Sequence, residues 1–121
     1  MNLFQTGVVQ LHSGGYSNFK IDCDALTDED IYSISLQLTL RLPKYHAVEG
    51  VPQGGLRLAK AMENFITPFQ PIRSDKLLIV DDVFTTGRSM ETWRNDRDAI
   101  GAVIFARYDT PDWITPLFRM E

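Results

Sequence analysis

One uninterrupted segment, residues 77–89, joins a buried strand, an acidic pair and a turn of small residues. Its sequence is Leu-Leu-Ile-Val-Asp-Asp-Val-Phe-Thr-Thr-Gly-Arg-Ser. The four apolar residues from Leu77 to Val80 are typical of a parallel strand that is covered on both faces. In an open α/β sheet, ligands bind in the crevice beyond the carboxyl ends of such strands. The segment therefore predicts an α/β fold with a binding site just after residue 80.

The acidic pair and the turn favour different parts of a ligand. Residues 85–89 offer hydroxyls and backbone amides at the predicted start of a helix that extends to about Asp98. Unpaired amides at such a position bind phosphate. Asp81 and Asp82 would repel a phosphate, so we expect them to bind vicinal hydroxyls or a metal ion. The whole segment therefore suits a sugar phosphate.

Two other interpretations of the segment stay open. A buried strand, a solvated acidic pair and an ordinary N-capped helix have the same residue types, because Thr and Ser are favoured at helix starts. A phosphoacceptor site of the receiver-domain kind would also use a carboxylate here. That chemistry needs a separate acidic cluster and a distant lysine, and it leaves the Thr-Thr-Gly-Arg-Ser turn unexplained.

A second loop, Glu-Gly-Val-Pro-Gln-Gly-Gly at residues 49–55, repeats this arrangement after a neighbouring short strand. Its amides could converge on an anion. A tight structural turn uses the same residues, so both interpretations stay open when this loop is considered alone.

The rest of the chain predicts helices that alternate with apolar strands, which indicates a parallel sheet with right-handed crossovers. A hairpin is predicted around residues 13–17, and a capping box at Thr27 opens the first helix. Residues 109–121 are predicted to form an irregular tail that packs back on the core. The predicted strands are 8–11, 19–23, 46–50, 77–80 and 102–106, and the predicted helices are about 28–42, 56–65 and 89–98.

Composition limits the function classes. A length of 121 residues suits one domain, and the formal net charge of −4 argues against a general nucleic-acid binder. A single cysteine, Cys23, excludes an internal disulfide and a cysteine-rich metal site. No signal-peptide pattern and no apolar run near the roughly 20 residues of a membrane span are visible. We therefore expect a cytoplasmic protein with no membrane partner.

Segment 77–89 resembles the phosphoribosyl pyrophosphate (PRPP) signature of the type I phosphoribosyltransferases. The resemblance implies a Rossmann-like parallel sheet with flanking helices and a small N-terminal hood hairpin. It implies that Asp81 and Asp82 are the catalytic pair that faces the ribose hydroxyls. It further implies Mg²⁺ bound mainly through PRPP, and a homodimer. The implied 5′-phosphate site is Thr85, Thr86, Gly87, Arg88 and Ser89, and the implied pyrophosphate site is Val51, Pro52, Gln53, Gly54 and Gly55.

Residues 11–22 are partly similar to the amino-terminal hood of the orotate phosphoribosyltransferases. His12 stands where that family has lysine, Gly15 where it has arginine, and Asn18 where it has proline. Arg107 stands where the family has an arginine that reaches the orotate carboxylate. Surface roles for His12 and Arg107 are equal alternatives. The base-binding residues implied by the resemblance are His12, Phe19, Lys20 and Arg107, and the expected organisation is a hood at about 1–25, a core at about 26–109 and a tail at 110–121.

The chain departs from the family pattern between Gly55 and Leu77, where only 21 residues lie. Active orotate enzymes have a longer interval, which carries a mobile lid with a catalytic lysine. Arg73 and Lys76 are candidate substitutes for that lysine. Two functions therefore stay open. The first is an orotate-like enzyme that joins a pyrimidine or related base to ribose 5-phosphate and releases pyrophosphate. The second is a non-catalytic PRPP or nucleotide binder, acting as a sensor or a partner subunit.

Overall fold

A computed structural model of the protein describes residues 4–10, 16–21, 23–66 and 76–120, with side chains described from residue 23 onwards. The first two ranges form an antiparallel hairpin of β1 (Phe4–Gln10) and β2 (Tyr16–Ile21), whose register shifts between Thr6 and Val9. The predicted hairpin is therefore present, although its first strand starts four residues earlier than expected.

The remaining elements build a four-stranded parallel sheet with the strand order β3-β4-β5-β6. This sheet and its helices confirm the predicted fold class. In chain order the elements are α1 (Asp28–Arg41), β3 (Ala47–Gly50), α2 (Leu56–Met62), β4 (Leu77–Phe84), α3 (Arg88–Arg94), β5 (Ala99–Ala106) and β6 (Ile114–Arg119), with single 3₁₀ turns at Cys23–Ala25 and Glu63–Phe65.

Helix α1 begins at the predicted capping box. The Thr27 hydroxyl accepts a hydrogen bond from the Asp30 amide (3.1 Å), and the Asp30 carboxylate accepts one from the Thr27 amide (2.9 Å). These bonds stabilise the ionised carboxylate and lower the pKa of Asp30. The helix ends at Arg41, two residues before Pro43, which cannot continue it.

Helices cover both faces of the sheet, because side chains alternate between the two faces along each strand. Leu78 and Val80 pack with buried residues of α1 and α2, such as Leu38 and Met62. Ile79 points the other way and packs with Met90 of α3. The two apolar clusters hold β4 in place between the helices on the two faces of the sheet, and β4 carries the acidic pair.

Several predicted boundaries were wrong, and three of these differences have a clear structural reason. Strand β4 continues to Phe84, since it stays paired with β5 beyond the acidic pair. Helix α3 ends at Arg94, because Asn95 adopts a positive φ of 55° that interrupts the helix. The tail is not irregular, since residues 114–119 form the edge strand β6 beside β5.

Within the described ranges, no helix is both long enough and apolar enough to cross a membrane.

Candidate functional site

The two predicted loops meet at one edge of the sheet. Strands β3 and β4 are parallel neighbours, with Gly50 paired to Val80, so the residues that follow them emerge side by side. The Val51 amide donates to the Val80 carbonyl (2.9 Å), which extends this pairing into the loop. Loop 51–55 and the acidic pair therefore lie together, as the sequence predicts.

The acidic pair lies within β4 rather than after it. Asp81 is only 8% exposed, and its Oδ1 accepts a hydrogen bond from the Asp82 amide (2.8 Å). Asp82 is half-buried, and its Oδ1 accepts from the Val83 amide (2.8 Å). Each carboxylate is thus fixed by the backbone of the next residue.

The two carboxylates differ in their electrostatics. Burial raises the pKa of Asp81 to about 8, and the hydrogen bond with Asp82 and that residue's negative charge add to the effect. At neutral pH the Asp81 carboxyl therefore retains its proton. A protonated carboxyl can both donate and accept a hydrogen bond, which suits a sugar hydroxyl.

Asp82 lies directly against the backbone of the second loop. A Cβ atom added at Gly54 would come within 2.6 Å of the Asp82 Cγ and would also meet both carboxylate oxygens. No side chain fits there while the carboxylate keeps its position. Sequence reasoning predicted neighbouring strand ends but did not find this contact, for which the only sequence signal is the glycine itself.

Loop 51–55 is closed by its own backbone. The Gly55 amide donates to the Val51 carbonyl (2.8 Å), and the Leu56 amide donates to the Gln53 carbonyl (3.2 Å). The peptide bond between Pro52 and Gln53 is cis. Pro52, Gln53 and Gly54 are exposed, so the tip of the loop faces solvent.

The loop at 85–89 forms an open cradle. Gly87 has φ +82°, and a Cβ atom there would lie 2.7 Å from the Phe84 ring, so this position requires glycine. The cradle is not a closed cavity, so a phosphate bound there would remain in contact with solvent. The cradle is lined by Asp81, Val83, Phe84, Thr85, Thr86, Gly87, Arg88, Ser89 and Met90.

A side-chain cluster that the sequence did not predict connects the two loops. We call Glu49, Trp93 and Arg97 the Glu49 clasp. Glu49, two residues before loop 51–55, accepts hydrogen bonds from Trp93 Nε1 (3.0 Å) and Arg97 Nη1 (2.8 Å). Arg97 chiefly lowers the pKa of Glu49, so the carboxylate is ionised. Because Trp93 belongs to α3, which follows the cradle, the clasp ties β3 to that helix.

The predicted base-binding residues are only partly described. Arg107 follows β5 at the site edge, and its amide donates to the Phe84 carbonyl (3.0 Å), next to the cradle. Phe19 and Lys20 are described only as backbone in β2, opposite Thr6 and Gln5. His12 and Arg73 lie outside the described residues.

Lys76 does not reach the acidic pair. It precedes Leu77 at the amino end of β4, where its carbonyl accepts a hydrogen bond from the His46 amide (2.9 Å). Asp81 lies five residues further along the chain, a distance of about 16 Å in an extended strand, which exceeds the reach of a lysine. Lys76 therefore cannot substitute for a lid lysine at this site within one subunit.

The acidic pair suits Mg²⁺ that is bound mainly through a phosphorylated ligand. Across the described residues, no group of three His, Cys, Asp or Glu side chains could hold a metal ion. Mg²⁺ commonly takes one or two carboxylates, together with phosphate oxygens and waters. Asp82 supplies carboxylate oxygens of that kind and Asp81 lies beside it, so the donor set fits this mode of binding.

No protein-family model matches the sequence, and neither does any curated protein. The structure is similar to solved orotate phosphoribosyltransferases. For the protein from Aeropyrum pernix, the TM-score is 0.73 at 20% identity, over 97% of this chain and 88% of that one. For the Mycobacterium tuberculosis H37Rv protein, in complex with Fe(III) dicitrate, the TM-score is 0.64 at 18% identity, over 97% of this chain and 89% of that one. For the Francisella tularensis protein, the TM-score is 0.64 at 16% identity, over 97% of this chain and 80% of that one. The chain therefore has the type I phosphoribosyltransferase fold.

Proposed function

From this fold, we propose that the protein is a PRPP-dependent phosphoribosyltransferase of the orotate-like kind. It would transfer ribose 5-phosphate to a pyrimidine or related base and release pyrophosphate. The observation that carries the proposal is the contact between Asp82 and Gly54, because it joins the acidic pair and the second loop into one site. A ligand with a sugar between two phosphate groups matches that arrangement.

Each part of PRPP has a partner in this proposal. The cradle at 85–89 binds the 5′-phosphate through amides and hydroxyls. Helix α3 has only seven residues, so its dipole contributes little to phosphate binding. Asp81 and Asp82 accept or donate hydrogen bonds to the ribose hydroxyls. Loop 51–55 binds the pyrophosphate. Neighbouring strands lie about 4.8 Å apart, so the two loops are separated by roughly the width of a sugar ring.

The chemistry passes through a ribosyl centre with oxocarbenium-like charge, as in other glycosyl transfers. Asp81 and Asp82 orient the sugar for that step, and the Gln53 and Gly54 amides at the tip of loop 51–55 stabilise the negative charge that develops on the leaving group. Bound Mg²⁺ would neutralise part of the pyrophosphate charge.

The acceptor base would lie over the ribose, near Arg107, with the hood above it. Arginine suits this position because its guanidinium can bind a planar carboxylate such as that of orotate with two parallel hydrogen bonds. His12, Phe19 and Lys20 complete the proposed base site. A homodimer in the cytoplasm completes the proposal, and the second subunit would supply cover for the pyrophosphate.

The alternative function is a non-catalytic PRPP or nucleotide binder. Two observations favour it: the interval 56–76 is short, and Lys76 lies at the far edge of the sheet. An open site would keep its affinity for PRPP, but water would compete at the reacting centre.

One experiment separates the two functions. The protein is incubated with PRPP, Mg²⁺ and either orotate or uracil, and pyrophosphate release is followed with a coupled assay beside calorimetric PRPP binding. The enzyme proposal predicts base-dependent release that is lost in the Asp81→Asn, Asp82→Asn double variant. PRPP binding without release would support the sensor instead. Absence of PRPP binding would contradict both.

A further inference from the structure

We propose that Asp82 sets the charge selectivity of loop 51–55: the loop rejects pyrophosphate that carries its full charge and accepts it once a cation has neutralised part of that charge. The inference rests on the proposed function, because it concerns the site assigned there to pyrophosphate. It adds a second role for Asp82, beyond orienting the ribose.

The first argument is the position of the carboxylate. The Asp82 Cγ and Oδ1 lie 2.6 Å from the place where a Gly54 Cβ would be, so the carboxylate covers the exposed tip of the loop. The Val83 amide holds Oδ1 at 2.8 Å, which keeps the group in this position. A phosphate group at the loop tip would therefore lie beside a fixed negative charge.

The second argument is the charge of the loop itself. Residues 51–55 are Val-Pro-Gln-Gly-Gly and carry no ionisable side chain. The next basic residue along the chain, Arg57, donates instead to the Leu26 carbonyl (3.0 Å) and to Asp28 (3.1 Å) at the start of α1. Glu49 is paired with Arg97 in the Glu49 clasp. Among these charged groups, Asp82 is therefore the one that lies against a ligand bound to this loop.

The third argument separates the two acidic residues. Asp81 lines the cradle of the other loop and is buried. By contrast, it is the Asp82 carboxylate that lies against Gly54 of loop 51–55. Repulsion between unit charges roughly 5 Å apart near a protein surface is strong enough to change an affinity at least tenfold. Asp82 is therefore the residue whose charge controls the loop.

The test measures binding of pyrophosphate without metal. Calorimetric titrations at pH 7 with EDTA compare the unchanged protein with Asp82→Asn, which keeps the size of the side chain and removes its charge. We expect the variant to bind metal-free pyrophosphate at least about tenfold more tightly. The same variant should bind PRPP with Mg²⁺ more weakly, because a ribose partner has changed.

Asp98→Asn is the matched control. Asp98 is exposed and immediately precedes β5, at the sheet edge opposite the site, so its substitution changes the net charge equally. It should change neither affinity more than about twofold. Asp82→Ser provides a second charge-removing variant, and thermal unfolding verifies that each protein is folded.

The outcomes distinguish the inference from the proposed function. If the protein binds PRPP while neither Asp82 variant binds metal-free pyrophosphate more tightly, the inference is wrong and the proposed function stands. An equal gain in Asp98→Asn would also overturn the inference, since the effect would then come from net charge. If the unchanged protein binds neither PRPP nor pyrophosphate with Mg²⁺, the proposed function is wrong as well.

Discussion

Replacing Asp81 with asparagine should stabilise the folded protein, and the gain should increase with pH. Asp81 is a buried carboxyl beside a second carboxylate, so ionisation is unfavourable in the folded chain but not in the unfolded one. Asparagine has nearly the same shape, and its Oδ1 can still accept the hydrogen bond that the Asp82 amide donates to this position at 2.8 Å. The substitution therefore removes mainly the cost of ionisation.

The size of the effect follows from the pKa values. The pKa of Asp81 is about 8 in the folded protein, against an ordinary value of 3.8. Below pH 3.8 both states bind the proton, and ionisation of Asp81 costs the folded protein no stability. As pH rises, the unfolded chain loses its proton while the folded chain keeps it, so the free energy of unfolding falls by up to about 1.4 kcal/mol per pH unit. The fall ends near pH 8, where the folded carboxyl also ionises.

Urea denaturation at pH 5, 6 and 7 measures this difference. The free energy of unfolding of Asp81→Asn should exceed that of the unchanged protein by an amount that grows by about 2–3 kcal/mol from pH 5 to pH 7. Glu49, whose pKa is lowered, contributes stability that is lost only at acid pH, and this contribution cancels between the two proteins. Asp98→Asn, which removes one negative charge at an exposed position, is the matched control. A difference that stays flat or shrinks as pH rises would refute the reasoning.

Two further substitutions test the loops. Gly87→Ala should destabilise the protein by about 1–3 kcal/mol in urea denaturation, because φ is +82° and the new Cβ meets the Phe84 ring; an unchanged midpoint would mean that the loop adopts another conformation. Glu49→Gln should cost less than about 1 kcal/mol of stability, since the ion pair with Arg97 is partly exposed, but should weaken PRPP binding severalfold by loosening the clasp. Equal PRPP affinity in calorimetry would show that the clasp does not position the site.

Local patterns predicted most of the fold. The capping box at Thr27 depends on residues that are close in sequence, and this prediction was confirmed. Strand β6 was missed because Pro116 interrupts its pattern and because its pairing depends on β5. The early end of α3 depends on the positive φ of Asn95, which the residue type alone does not require.

The sequence predicted that the two loops lie at neighbouring strand ends, but it did not predict the contacts between them. Two glycine-containing loops after apolar strands predicted where a ligand would bind, since parallel strands end at a common edge. The contact between Asp82 and Gly54 and the Glu49 clasp join residues 28 to 48 positions apart in the chain, so no local pattern reveals them. The same limit explains why Lys76 was a candidate for the site. It is close to the acidic pair in sequence, but it lies at the amino end of β4 and not at the end where the loops meet.

The central claim is that loop 51–55, the acidic pair and the cradle at 85–89 form one site for a sugar that carries two phosphate groups. Calorimetric titration with PRPP, ribose 5-phosphate and pyrophosphate, each with Mg²⁺, tests it most directly. We predict that PRPP binds more tightly than either fragment and that bound PRPP blocks both of them. Binding of ribose 5-phosphate or pyrophosphate that is unaffected by saturating PRPP, or no PRPP binding at all, would contradict the account.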